Sequence, residues 1–331
     1  MRQIIGLTLL ATASLCHAAK TLDVYFIDVE GGQATLIVTA AKQSMLVDAG
    51  WPGFNGRDAE RIARVAKKAG VKAIDYMVTT HYHTDHAGGV PQLAEKLEVR
   101  TFVDHGPNNE SGKNPDALYQ AYEAVAAKGK RLTVKAGDTI PLKGVDVRVV
   151  TANGEHAKST GEANALCSTS RSFPEDKSEN ARSIGLLLTY GKFRMVNLGD
   201  LTNRKELELA CPENRLGSVD VYLTTHHGLA TSNAQELVHA LKPRVAVMNN
   251  GAKKGGSPEA WRTIRSSPGL EDLWQVHFSL AGGTETNSPE AFIANLEEGC
   301  VGNHIALSAN TDGSFRVSNS RNKYSKQYAV R

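Results

Sequence analysis

From Leu22 onward the apolar residues fall in short runs, rich in Val, Ile, Tyr and Phe, and cut by turns that carry glycine or polar residues. Leu22–Asp28, Ala34–Thr39 and Ser44–Asp48 read as three strands, with Glu30-Gly31-Gly32 and 40–43 as the turns between them. That is the pattern of an antiparallel meander. The period then changes. Over Asp58–Ala69, apolar Ile62, Val65, Ala66 and Ala69 recur at helical spacing with charges between them, and Gly70 follows as a stop. A strand Ile74–Val78, a helix from Gly88 to Leu97, a strand Val99–Val103, a helix Pro115–Ala127 and strands Leu132–Val134 and Val145–Val150 complete the first half.

Residues Asn153–Arg182 break the pattern, being polar and full of turn formers. A stretch of that length inside a compact domain is usually functional or disordered. Its place between two patterned halves predicts a cover over a site. After it the plan repeats. Ser183–Tyr190 and Phe193–Leu198 form a hairpin around Gly191-Lys192, followed by a helix Asn203–Leu209, a strand Val219–Thr224, a helix Asn233–Leu241, a strand Val245–Met248 and a helix Ser257–Ser266. Leu273–Phe278, His304–Ser308 and Ser314–Val317 read as late strands, and Asn319–Arg331 as a polar, basic tail. Two halves of this kind specify the α/β class, as a helix–sheet–sheet–helix (αββα) sandwich. In each half a strand ends in Thr-Thr-His, which directs both ends toward one cleft.

The first residues stand apart. Arg2 supplies a charged start, Ile4–Ala13 an apolar run and Cys16-His17-Ala18 a small-residue exit. This predicts a signal peptide over 1–18, too short to stay as a membrane span. The expectation is therefore an exported protein, periplasmic or secreted, with a single domain over 19–331. No later stretch is long and apolar enough to span a membrane. With 331 residues and 41% hydrophobic content, the chain can bury one large core or two small ones. The net charge of +3 becomes +2 once Arg2 leaves (3 − 1 = 2). Nucleic-acid binders usually show a strongly basic face, so charge lends no support to such a partner, and it leaves the oligomeric state open. Of the three cysteines after the leader, Cys167 in the polar loop and Cys211 after a short helix are the favoured disulfide, against three separate thiols. None has a second Cys or His at chelating spacing, which argues against a cysteine metal ligand.

The chemistry concentrates in Val78-Thr-Thr-His81-Tyr-His83-Thr-Asp85-His86-Ala-Gly-Gly89. On an extended turn leaving a strand, His81 and His83, two apart, point toward one cation. Asp85 and His86 follow at once and can turn toward a second. Imidazole and carboxylate are ligands that catalytic zinc takes. A tract of solvated surface histidines would not account for a cluster at the end of a buried strand. His81-Tyr-His83-Thr-Asp85-His86 resembles the His-x-His-x-Asp-His signature of the metallo-β-lactamase superfamily. That resemblance implies the two-sheet sandwich over nearly the whole chain after the leader.

It also implies further ligands. Asp200, in Asn-Leu-Gly-Asp after a strand, sits where the superfamily keeps an aspartate bridging two ions, and His226 and His227 match its last histidine. Of the two, His226, closest to the strand end, is expected as the ligand, with His227 near the substrate. One part departs from the common pattern, because no histidine lies between His156 and Asp200. The chain instead reads Glu179-Asn180-Ala-Arg-Ser183, which resembles the Asn-x-x-Ser element of the nuclease-like domain of competence DNA-uptake channel proteins and of related choline-phosphate esterases. His156 is a further candidate for the missing ligand; His105, His239, His277 and His304 lack a partner at useful spacing.

The resemblance thus implies an exported hydrolase binding one or two Zn2+ (Mn2+ or Fe2+ being alternatives) through His81, His83, Asp85, His86, Asp200 and His226. It would act through a metal-bound hydroxide on a phosphodiester or phosphoester. Asp85 would orient the nucleophile, and His227 or Asn180 would donate a hydrogen bond to the developing oxygen or leaving group. A β-lactam or lactone hydrolase and a non-catalytic binding protein of the same fold are the alternatives. Arg and Lys at the cleft would favour phosphate, and an apolar slot beside Trp51 and Phe54 an acyl substrate. The loop Asn249-Asn250-Gly251-Ala-Lys253-Lys254 reads equally as a tight turn or as a set of amides and lysines facing an anion.

Overall fold

The computed structural model describes residues 21–158 and 160–331, so the expected leader over 1–18 lies outside the described residues. The first half supplies strands β1 (Leu22–Phe26), β2 (Thr35–Val38), β3 (Ser44–Val47), β4 (Ala73–Val78), β5 (Glu98–Asp104), β6 (Lys130–Thr133) and β7 (Asp146–Ala152). Between them lie helices α1 (Arg57–Lys68), α2 (Thr84–Ala87), α3 (Val90–Ala94) and α4 (Lys113–Ala126). Among its described residues, the long polar stretch holds only the two-residue strands β8 (Glu155–His156) and β9 (Glu162–Ala163) and the 3-10 turns Ala165–Thr169 and Glu179–Arg182. The second half adds β10 (Gly185–Tyr190), β11 (Phe193–Asn197), α5 (Asn203–Ala210), β12 (Glu213–Asn214), β13 (Val221–Leu223), α6 (Gln235–Leu241), β14 (Val245–Met248), α7 (Pro258–Arg265) and β15 (Asp272–His277). The strands β16 (Ile293–Asn295), β17 (Ile305–Ala309), β18 (Phe315–Asn319) and β19 (Ser325–Tyr328) follow.

Among the described residues, two large sheets form: nine strands in the order β19-β18-β17-β1-β2-β3-β4-β5-β6, and eight in the order β16-β15-β14-β13-β11-β10-β7-β8. The run β3 to β6 is parallel, as is β11 through β13, β14 and β15 to β16. Strands such as β2, β3 and β14 are buried at every residue, as expected when both faces are covered. Three apolar layers account for the stacking. Phe26, Val47, Leu186, Val247, Trp274 and Phe315 fill the space between the sheets. Ile62, Val65, Leu93 and Tyr122 pack α1, α3 and α4 on the first sheet, and Leu209, Leu237 and Ile264 pack α5, α6 and α7 on the second. Each such aliphatic side chain, fully buried, contributes about 1.5–3 kcal/mol. The result is the αββα sandwich.

Two expectations change. The residues from Asn319 onward are not a free tail: β19 pairs with β18, and Tyr328 is buried against Phe315 with ring centroids 4.6 Å apart. Its hydroxyl donates to Asp272 at 2.7 Å and accepts from the Trp274 indole at 3.0 Å. The polar Ser325, Lys326 and Gln327 hide this strand in the sequence, because only one residue of the four is apolar. The sheets also do not correspond to the two halves of the sequence. β17, β18 and β19 return to the first sheet, where β17 pairs with β1 and sets Leu22 opposite Ala309.

Candidate metal centre

Four strand ends meet at one end of the sandwich. β4 leads into the segment 79–86; β11 leads to Asp200; β13 leads to a 3-10 turn, Thr225–Gly228; and β14 leads into 249–256. The first belongs to one sheet and the other three to the facing sheet, so the ligand types scattered along the sequence converge across the cleft.

Asp85, His86, Asp200 and His227 present ligand atoms that all lie within 4.8 Å of one another, and all four residues are buried. His86 Nε2 is 3.1 Å from Asp200 Oδ2, 3.3 Å from Asp85 Oδ2 and 3.2 Å from His227 Nε2. His227 Nε2 in turn lies 3.1 Å from Asp85 Oδ2 and 3.3 Å from Asp200 Oδ2. His81 approaches Asp200 with Nε2 at 4.0 Å from Oδ2. His83 packs edge-on against His81, with centroids 4.7 Å apart, and is only half-buried, its Nε2 3.3 Å from Glu110 Oε1.

The hydrogen bonds behind these rings decide which nitrogen faces the cluster. The Thr80 hydroxyl donates to Asp48 Oδ2 at 2.7 Å, so it accepts from His81 Nδ1, 3.1 Å away. His86 Nδ1 lies 2.7 Å from the same Asp48 oxygen. Both rings therefore carry a proton on Nδ1 and turn Nε2 inward, the arrangement in which a carboxylate or hydroxyl orients a metal-binding imidazole. Burial opposes charge on His86, yet the Asp200, Asp85 and Asp48 carboxylates raise its pKa well above the usual histidine range. Burial, reinforced by the nearby His86, holds the His81 pKa well below the usual histidine range. Burial works against the charge of Asp85 and Asp200, yet the surrounding imidazoles hold both carboxyls well below the ordinary range.

Two buried atoms are left without a hydrogen-bond partner at the centre of this set: His81 Nε2 and Asp200 Oδ1. Unpaired buried acceptors are costly. Imidazole nitrogens and carboxylates converging around two unpartnered atoms fit a cation, and the residues present match the imidazole and carboxylate set of a hard-to-borderline divalent metal.

The two histidines after β13 take the reverse of the expected order. His227 is fully buried inside the tight cluster, and His226 stands at the rim with Nε2 3.4 Å from Asp200 Oδ2. Its Nδ1 is 3.2 Å from Ser232 Oγ and 3.3 Å from Thr231 Oγ1. The cause is the backbone: His226 and His227 are both left-handed, at φ 53° and 55°, so the chain reverses within the turn and swings the second ring inward. Non-glycine residues pay about 1–2 kcal/mol each for this conformation, which marks the turn as strained.

Residues 27–157 match the family described as the metallo-beta-lactamase superfamily. The fold is a metallo-β-lactamase fold. ComE operon protein 3 of Bacillus subtilis (strain 168) is 24% identical over 182 residues, which make up 55% of this chain and 20% of that protein. Recombination protein 2 of Haemophilus influenzae is 24% identical over 237 residues, 70% of this chain and 24% of that protein. The matches thus span about a fifth to a quarter of the length of these curated relatives. The metallo-beta-lactamase fold protein YhfI from Bacillus subtilis aligns with a TM-score of 0.46 at 11% identity, covering 77% of this chain and 96% of that one.

On this metallo-β-lactamase fold the remaining sequence candidates separate. Ser183 Oγ accepts from the Asp200 amide at 3.1 Å and lies 3.4 Å from His81 Nδ1, so it touches both sides of the centre. Asn180 has its Oδ1 buried without a partner, and with His226 it lines a cleft of about 500 Å³. Phe173, Pro174 and Asp176 line the same cleft, so part of the polar loop borders His226; Cys167 pairs with Cys211 to anchor it. His156 is not among these residues: its Nδ1 faces Glu208 on α5 at 3.9 Å. Of the two loop lysines, Lys253 turns outward to Glu298 at 2.6 Å. Lys254 contacts Asp85 directly and sits 4.9 Å from the Trp51 ring centroid. Gly255 permits that approach, since a Cβ there would lie 2.2 Å from the His227 carbonyl oxygen.

Sequence reading missed Asp48, Gln33, Asn249 and Glu179. Gln33 Nε2 donates to Asp48 Oδ2 at 3.0 Å, and the Asn249 side-chain amide lies 3.2 Å from His227 Nδ1. Glu179 accepts from the Tyr82 amide at 3.1 Å and pairs with His105 at 3.0 Å, tying the polar loop to the ligand turn. The one available signal was Asp48-Ala-Gly at a strand end, read only as a terminus.

Proposed function

We propose that this chain is an exported metal-dependent hydrolase of phosphodiester or phosphoester bonds. The observation that carries the reading is the buried donor set around Asp200, with two inward-facing atoms unpartnered and a lysine held at its edge. His81, His83, Asp85, His86, Asp200 and His227 would hold one or two ions, for which zinc fits the donor types. An ion there supplies a nucleophile ionised near neutral pH and neutralises developing negative charge. Asp48 and Thr80 hold the His81 and His86 rings in the tautomer that faces the centre. Ser183 fixes Asp200 against His81. His226 and Asn180 border the cleft and are placed to donate to a leaving-group oxygen, which exchanges the expected roles of His226 and His227.

Phosphate is favoured over acyl because Trp51 and Phe54 both carry cations, one of which, Lys254, contacts Asp85. Lys254 lies over Trp51, and the Arg57 guanidinium lies 4.5 Å from the Phe54 ring centroid. A bare apolar slot is therefore not what Trp51 and Phe54 form, and Arg204 adds a further cation to the cleft. Phe173 and Pro174 are the feature that favours the second reading, an acyl substrate such as a β-lactam or lactone.

The test is metal content by mass spectrometry on wild type and Asp200→Ala, with bis-p-nitrophenyl phosphate and nitrocefin assayed in parallel. Bound metal that falls in Asp200→Ala, with diester cleavage abolished, supports the proposal. Turnover of nitrocefin alone selects the acyl hydrolase. Bound metal with no cleavage of either selects the non-catalytic protein, and a metal-free wild type overturns all three.

A further inference from the structure

A second convergence of metal-binding side chains lies outside the centre just described. Asp28 and Glu30 come from the β1–β2 connection, His277 ends β15, and Cys300 lies before β17; one ligand atom of each falls within 4.8 Å of the others. His277 is fully buried, and its Nε2 points into the group, 3.3 Å from Asp28 Oδ1, 3.4 Å from Glu30 Oε2 and 3.5 Å from Cys300 Sγ. Cys300 Sγ is 3.0 Å from Asp28 Oδ2 and 3.4 Å from Glu30 Oε1. On the other side of the ring, Nδ1 has no hydrogen-bond partner, so Nε2 is the nitrogen through which the ring meets its neighbours.

These separations have a simple reading. Ligands bound tetrahedrally at 2.0–2.3 Å stand roughly 3.3–3.7 Å apart from one another, and the separations of His277 Nε2 from Asp28 Oδ1, Glu30 Oε2 and Cys300 Sγ fall at 3.3–3.5 Å. Arg61 borders the group, with its Nη2 3.4 Å from Cys300 Sγ. Its Nη1 takes Asp28 Oδ2 at 2.8 Å and Glu30 Oε1 at 3.1 Å, leaving Asp28 Oδ1 and Glu30 Oε2 to face His277. The charges also balance: two carboxylates, a thiolate, the Arg61 guanidinium and one divalent ion sum to zero.

We propose that Asp28, Glu30, His277 and Cys300 form a second, structural metal site. A thiolate with one imidazole and two carboxylates selects zinc among divalent ions, and four protein ligands leave no open position for substrate. The site ties the segment before β17 to the β1–β2 connection. That connection backs the lysine loop, because Gly251 packs so closely on it that a Cβ would meet the Glu30 carbonyl carbon at 2.5 Å. Sequence spacing concealed the site, since His277 and Cys300 are brought together only by the fold.

Cobalt substitution tests it. The metallo-β-lactamase-fold centre contains no cysteine, and Cys167 and Cys211 are paired with each other, so thiolate-to-cobalt absorption in the near ultraviolet reports the second site alone. The chain from residue 19 onward, which lacks Cys16, stripped by chelator and reloaded with Co2+, is expected to show that absorption. Cys300→Ser should lose it together with one metal per chain, while Asp200→Ala should keep it. Absence of the absorption in folded, cobalt-loaded wild type overturns the proposal whatever the variant does. So does a folded Cys300→Ser that binds as much metal as wild type.

Discussion

Asp48 accepts from the Thr80 amide and hydroxyl, from His86 and from Gln33, and does so from a left-handed backbone at φ 60°. Asparagine tolerates that backbone and keeps the shape, but with one oxygen it cannot serve both the Thr80 amide on Oδ1 and the three donors on Oδ2. Asp48→Asn is therefore expected to fold and to bind metal about 10–100-fold more weakly, as read by competition with a chromophoric chelator; unchanged affinity would show that Asp48 does not orient the ligands. Lys254 gives a different signature. Its removal in Lys254→Ala should raise KM for an anionic diester by about tenfold, equivalent to ~1.4 kcal/mol, with a smaller change for an uncharged ester and less effect at high salt. His81, His83, Asp85 and His86 were legible because they are crowded into six positions of one turn. Asp48, Gln33 and Asn249 were not, because each is a single polar residue carried in from its own strand end. The order of His226 and His227 was hidden too, since it depends on two left-handed residues that no local composition announces.

The turn that presents those histidines is braced by α5. Glu206, fully buried, accepts from the Ala234 amide at 2.7 Å while its Oε1 has no partner. Burial pushes its carboxyl up from an ordinary 4.5 to about 7. The folded chain therefore holds this proton more tightly than the unfolded chain, so the stability due to Glu206 falls as pH rises between those values and is level above them. Glu206→Gln cannot lose a proton. In metal-free protein its stability relative to wild type should rise from pH 4.5 to pH 8, by roughly 3 kcal/mol if the full shift is expressed. Urea midpoints at the two pH values read this out, and a difference independent of pH would contradict it. Most elements were legible from period alone, including α1, β4 and β14. β16 and β19 were not, being short or dominated by polar residues, so that only pairing with a neighbour shows them to be strands.

Across the whole molecule, the αββα layering followed from two patterned halves, but the pairing that completes the first sheet left no local trace. The disulfide acts at this scale as well. Cys167 and Cys211 are 44 residues apart, and closing such a loop restricts the unfolded chain by about 4 kcal/mol in the entropic account. Replacing both with serine should lower the unfolding free energy by up to that amount. The ligand strands stay paired, so metal binding should survive, as a metal titration of the folded variant would show. The join between β1 and β17 bears on how the chain must be made. Synthesis delivers Leu22 long before its partner Ala309, so until β17 emerges β1 presents an open edge. Such edges recruit strands from other chains, and contacts this distant in sequence form slowly. A product stalled or clipped before β17 is thus expected to pass into aggregates instead of persisting as a smaller working domain.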